Sequence, residues 1–349
     1  MRVIKVIISV FVILIFSVGI HPKSLIGVIT PKVLLERSRS EEGESYVGIR
    51  DITVDGSLAV YAFDYMNYNI EKYDKEGKPL LTFGGTGKEE GKFHHLTGIR
   101  AVEGRLLAVD SIGLSLFDYG GKFLEKRPYE KEVLVDLPAI FDDGRFVGSQ
   151  ILADELKTVL TYRSVDGKEL SRLASYEISE FFPGVKEGED FFLDNTYARA
   201  YYYAISPDGD IFWVASDALK VHRFRDGESS LFIEDAATAV PFPEELRKPL
   251  LERQSRTKPP LFTYVPDRYQ IVHHLFCGPD GDVWVYVKSA ERTGFLRYSK
   301  KGKFKGIYSV KADFDMMKVI VRIFNDHMYF VVNEREGVKV YSASLTTIS

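Results

Sequence analysis

The chain is nearly devoid of cysteine: its one thiol in 349 residues is Cys277. No intramolecular disulfide can form, so stability must come from a buried core. Charge of one sign is also lacking. A formal net charge of -4, with Lys, Arg, Asp and Glu interspersed, leaves no block that could act as a nucleic-acid arm. The apolar run of residues 6–20, about fifteen long, falls short of the roughly twenty residues that span a bilayer. Catalytic signatures are missing as well. There is no G-x-S-x-G elbow, no P-loop, no G-x-G-x-x-G at a strand-to-helix junction, and no Cys-x-x-Cys, His-x-x-x-His or His-x-His spacing.

What the N-terminus does have is Arg2 and Lys5 ahead of that apolar run, the layout of a positive n-region and an h-region. Residues 1–24 are therefore expected to be a signal peptide or an uncleaved membrane anchor, with Ser17 and Gly19 as the small residues near a cleavage point. The expected address is outside the cytoplasm: periplasmic, extracellular or anchored on the outer side of the membrane.

Beyond residue 45 one phrase recurs six times: a short apolar run, Asp-Gly or a relative, then β-branched and aromatic residues. Examples are "IRDITVDGSLAVYAF", "YYYAISPDGDIFWVAS" and "LFCGPDGDVWVYV". A second glycine-punctuated phrase follows each of the first five, as in "LSLFDYGGKFLEK" and "GFLRYSKKGKFKGIY". Each phrase reads as a β-hairpin, because Asp-Gly and Gly-Gly supply the positive φ of tight turns. Two hairpins per unit give four antiparallel strands. Runs such as "DVWVYV" and "MYFVVN" are apolar at successive positions and suit sheets covered on both faces. The fold class is thus all-β: a six-bladed β-propeller of four-stranded antiparallel blades spanning residues 25–349.

Two departures from the rhythm carry information. Residues about 236–268 form an irregular insertion in which "PEELRKPLLERQSR" can make a short helix from Glu244, kinked or split at Pro249. The last blade offers only three strands before the chain ends at Ser349, whereas "KVLLERSRSE", residues 32–41, is an orphan strand. An N-terminal strand pairing antiparallel with residues 338–345 would complete that blade and hide its open edge.

"GTGKEEGKFHHLTGI", followed by "LLAVDS" and "LFDYGGKFL", resembles the NHL repeat. Gly91, Phe93, Gly98, Ile99, Asp110 and Gly121 occupy the repeat's positions, and Leu96 stands where the family usually has proline. The whole layout resembles the bacterial six-bladed propellers related to these repeats. The resemblance implies an exported protein, of a group that mostly lacks a defined biochemical role.

In a propeller the loops between second and third strands and the blade-to-blade crossings share one face, where binding residues gather. After the second strands stand Asp64, Asp110, Ser216, Asp217, Asn333 and Glu334. Such residues commonly hydrogen-bond the next turn's backbone, and a ring of them could also bind a polar ligand. Entering the first strands are His94 and His95, Arg199, and His273 with His274. Adjacent histidines on an extended chain point to opposite sides, so at most one of each pair is expected to face the channel.

The leading expectation is a non-enzymatic extracytoplasmic protein that holds a peptide, glycan or protein partner on one propeller face. It needs no cofactor, no nucleic acid, and the membrane only through an uncleaved anchor. The rival is a metal-dependent hydrolase or lyase with an axial calcium or zinc, licensed by fold analogy alone.

Overall fold

In this computed structural model, residues 25–38, 48–182, 185, 192–194, 198–254, 261–316, 318–334 and 337–346 are described. The expected export segment lies outside them. Two strands precede the blades: β1 (Leu25–Ile29) and β2 (Lys32–Ser38). Blade 1 is β3 (Ile49–Val54), β4 (Val60–Asp64), β5 (Asn69–Tyr73) and β6 (Pro79–Gly84). Blade 2 is β7 (Leu96–Val102), β8 (Arg105–Asp110), β9 (Gly113–Asp118) and β10 (Phe123–Pro128). Blade 3 is β11 (Asp136–Ile140), β12 (Phe146–Leu152), β13 (Lys157–Arg163) and β14 (Glu169–Glu177). After β15 (Phe192–Asp194) comes blade 4: β16 (Tyr201–Ile205), β17 (Ile211–Ala215), β18 (Lys220–Arg225) and β19 (Glu228–Glu234). Helix α1 (Glu244–Gln254) and β20 (Leu261–Thr263) lead to blade 5: β21 (Val272–Cys277), β22 (Val283–Lys288), β23 (Thr293–Tyr298) and β24 (Phe304–Val310). Blade 6 is β25 (Val319–Phe324), β26 (His327–Glu334) and β27 (Gly337–Ser344), with β2 as its fourth strand.

The hairpin turns are longer than the two-residue kind. In the outer turns of blades 1 and 2 the Gly77 and Gly121 N–H groups donate to the carbonyls of Asp74 and Asp118, three residues earlier. Each glycine is the turn's fourth residue, at φ +85° and +79°. The Asp side chain closes the turn by accepting Lys78 or Lys122 N–H at 2.8 and 2.9 Å. In the inner turn of blade 1 the equivalent position is held by Leu58 at φ 67°, not by Gly56. The Asp-Gly pair there marks the turn without supplying its left-handed residue.

The core is divided among the blade seams. Six apolar clusters lie between successive blades, and the one joining blade 6 to blade 1 contains Val331, Val338 and Val340 against Ile49, Ile52 and Val60. Every blade is therefore covered on both faces, which is why its strands are apolar at successive positions. Three of the residues singled out in the sequence have visible roles in these contacts. Phe93 is fully buried, a Cβ on Gly98 would meet Pro138 at 2.8 Å, and one on Gly121 would meet Phe83 at 2.9 Å.

Closure follows the expected scheme. β2 pairs antiparallel with β27, from Lys32 opposite Ser342 to Ser38 opposite Gly337, and Leu35 is buried in the blade 6–1 seam. A second contact was not foreseen. β1 adds in parallel to the outer edge of β24, making blade 5 five-stranded, and Ile29 is buried in the blade 5–6 seam. The N-terminal segment thus fastens two blades.

Helix α1 runs through Pro249 and is not split there. Pro249 is the sixth of its eleven residues, so the ring removes one intrahelical bond at mid-helix. The segment around it packs on the face of the second-to-third-strand loops: Thr238 accepts Ala290 N–H at 2.9 Å and donates its own N–H to Glu291 at 2.9 Å. Tyr264 meets Phe181 and Phe182 edge-on, over a satellite core of Ile178, Phe182, Val185 and Ala198.

Candidate functional site

The first strands of all six blades converge on the axis, and their starts enclose a cavity of about 910 Å³ on the loop-and-crossing face. Its inner wall comes from Thr97, Leu137, Tyr202, Leu275, Val321 and neighbours, and its mouth from Tyr65, Tyr68, Glu132, Leu134 and Ile151. This size suits a drug-sized or oligomeric small ligand.

Local irregularity aims the wall residues. The ladders of blades 1, 2, 3 and 5 each shift register at the start of the first strand, at Ile49/Asp51, Leu96/Gly98, Asp136/Ala139 and Val272/His274. An inserted residue breaks the alternation of faces and re-aims side chains. Arg50, Thr97, Leu137 and His273 are such residues, and all line the cavity. The bulge at His273 explains why His273 and His274 both line it, against the one-per-pair expectation. His94 and His95 also both line it, since they lie before β7 and their backbone is turned onto Asp110.

The candidates from the sequence divide into two groups. The cavity brings together His94, His95, Arg199, His273 and His274. Asp64, Asp110 and Asn333 stand behind the wall and hold backbone. Asp64 accepts Met66 N–H at 2.9 Å. Asp110, fully buried, accepts the N–H groups of His94, His95 and Ser111 at 3.0, 2.5 and 2.9 Å and the Lys126 ammonium at 3.2 Å. Asn333 clamps Ile49 through both its N–H and its carbonyl, joining blade 6 to blade 1. Asp217 binds the Arg199 guanidinium at 2.9 and 2.5 Å.

The arginines at the cavity are paired internally. Arg50 meets Asp136 at 2.5 Å, Arg199 meets Asp217, Arg322 meets the buried Asp51 at 2.9 Å, and Glu132 lies 3.6 Å from His94. The Arg199 guanidinium also lies over the rings of Tyr176 and Phe181. Burial raises the Asp51 carboxyl above its ordinary range, and Arg322 acts in the opposite direction.

Burial lowers the imidazoles, His273 to about 4 and His274 to about 3, so both are neutral at neutral pH. His274 Nε2 donates to the Met316 carbonyl at 3.0 Å, which leaves Nδ1 as its unprotonated nitrogen. His274 packs against Tyr202 and Tyr286. Burial pushes the Tyr202 phenol up to about 12, and those of Tyr201 and Tyr203 upward as well. The wall is therefore phenolic and imidazole hydrogen-bonding groups among aliphatic side chains, with its arginines paired to carboxylates. Sequence reasoning missed Tyr65, Tyr68, Arg50 and Arg322. The tyrosines follow the flagged Asp64 in "DYMNYN", but nothing in the pattern says that this turn leans over the axis.

No family model matches the chain, and no curated protein does. Solved structures of similar fold include regucalcin, a calcium-binding protein from Agrobacterium tumefaciens, at 13% identity over 89% of this chain and 95% of that one, with TM-score 0.47. They also include a gluconolactonase from Xanthomonas campestris at 11% identity over 95% and 99%, TM-score 0.45, and virginiamycin B lyase from Staphylococcus aureus at 10% over 89% and 88%, TM-score 0.45. At such identities the likeness is one of fold and carries no activity across.

Proposed function

We propose that this is an extracytoplasmic binding protein of NHL-like propeller type that holds an uncharged polar ligand, a glycan or a peptide segment, in the axial cavity. The observation that carries the reading is the cavity's chemistry. A space of about 910 Å³ is lined by tyrosines and by the neutral His273 and His274, and its arginines are paired with carboxylates. Tyrosine rings offer flat apolar faces with a polar tip, which suits sugar rings and peptide planes alike. Export rests on the layout of residues 1–20, and the NHL kinship on the phrase around Phe93 and Gly98.

Screening the purified protein against neutral oligosaccharides and uncharged peptides should yield a ligand whose affinity falls about tenfold with Tyr65→Ala or Tyr68→Ala, the loss typical of one aromatic contact. No ligand in either class, or one indifferent to both substitutions, refutes the reading. Metal analysis bears on the enzymatic rival. Among the described residues no three His, Cys, Asp or Glu side chains converge. Stoichiometric calcium or zinc lost with His273→Gln would favour that rival and overturn the proposal. A reporter active only outside the cytoplasm, fused after residue 40, tests the address: silence would remove it.

A further inference from the structure

A second recess lies on the opposite face, among the inner turns at 206–209 and 278–281 and the outer turn at 299–302. There the seam between blades 4 and 5 opens into a groove of about 490 Å³. Val221, Arg223 and Arg225 share one face of β18 because successive strand residues alternate. Val221 enters the seam core, and Arg223 and Arg225 line the groove. Lys300 and Lys301 approach from the turn between β23 and β24, whose Gly302 abuts the Phe232 backbone. Phe212, Leu231 and Phe232 complete the lining, the two phenylalanine rings 4.8 Å apart.

The pairing of these cations is uneven. Arg225 is held by both oxygens of Asp210, and Lys300 lies 3.9 Å from Asp208. Among the described residues Arg223 and Lys301 have no acidic partner. The Arg223 guanidinium lies over the Phe232 ring, 5.7 Å from its centroid, and its Nε is buried with no hydrogen-bond partner. A buried donor left unpaired costs stability unless something supplies an acceptor. This groove, with four basic and two acidic side chains, lies on a chain of net charge -4, so the positive excess is local.

We propose that the groove binds an anionic group, carboxylate or phosphoryl, carried on a sugar ring. The anion accepts from the Arg223 fork and the Lys301 ammonium, and the ring rests on the exposed Leu231 side chain beside them. A planar guanidinium favours two-point recognition of such oxyanions, and Leu231 gives the sugar ring an apolar contact next to them.

Isothermal titration of the purified protein with trigalacturonate, glucose 6-phosphate and the neutral control maltotriose tests this. Binding of trigalacturonate identifies an acidic glycan as the source, and binding of glucose 6-phosphate a phosphorylated one. Either should weaken about tenfold with Arg223→Gln, weaken with Lys301→Gln, and fall as salt rises. Lys301 lies in an exposed turn, so that variant tests the groove even if Arg223→Gln folds poorly. Tyr65→Ala should leave this binding unchanged, which separates the groove from the axial cavity. Absence of binding by both anions up to about 10 mM, a Kd near the limit of specific recognition, overturns the proposal. So does binding of either that is equal in both groove variants and wild type.

Discussion

Asp110 shows how one side chain at a strand end organises a crossing. Its buried carboxylate gathers three backbone N–H groups and the Lys126 ammonium, and thereby sets the turn that presents His94 and His95. Asp110→Ala would leave those donors without an acceptor. A loss of about 3 kcal/mol is expected, of the size seen when a buried, hydrogen-bonded charge is removed, and urea denaturation will measure it. A change under about 0.5 kcal/mol would mean that water replaces the carboxylate at no cost.

The paired histidines give the protein a pH response. Burial is the main cause of their lowered values. Lys288 reinforces it at His273 and Asp315 opposes it, and at His274 both His273 and Arg322 reinforce it. A folded-state pKa below the unfolded value of about 6.5 means that the unfolded chain binds the proton more readily. Their stabilisation is complete above about pH 6.5 and is lost as pH falls through the folded values of about 4 and 3. The melting temperature should therefore drop between pH 6.5 and 4.5, and the slope should flatten in a His273→Gln, His274→Gln protein. An equal slope in both proteins would assign the acid sensitivity elsewhere.

The strand that closes the last blade is the element on which most depends. Its buried anchor, Leu35, packs with Val338 and Val340, and Ile29 in the preceding strand packs with Trp284 and Phe330. Leu35→Ala and Ile29→Ala should each cost about 2–4 kcal/mol through lost burial and residual cavity. The losses should add, since the anchors occupy different seams. Chemical denaturation of the single and double variants checks both claims.

For the molecule as a ring, those two strands are a closing strap rather than a local ornament. Six seams are all filled only while blade 6 meets blade 1. A protein lacking residues 25–38 should unfold at a lower temperature in every blade, and a synthetic peptide of residues 25–46 added in trans should restore the melting point as a ligand of the folded state does. Unchanged melting after truncation, or a peptide without effect on a destabilised truncation, would show that the ring holds without its strap.

Fold class, blade number and closing strand were legible in the sequence because they depend on local and repetitive chemistry. Turn glycines recur at the fourth position of a β-turn, strand runs are apolar on both faces, and a missing strand must be supplied by an orphan one. The parallel addition of β1 to blade 5 was not legible, since its short "LIGVI" run has no repeat partner to betray it. Candidate residues at strand ends were also visible, but their roles were not. Asp110 and Asn333 turned inward to backbone, whereas Tyr65 and Tyr68 came to line the cavity. The deciding events were single-residue bulges such as His273, which shift a side chain from one face to the other, and contacts between residues hundreds of positions apart, such as Arg322 with Asp51. Local sequence dictates that a strand forms and where it turns. Which side chains face the axis depends on register and on neighbouring blades, and only the closed ring sets both.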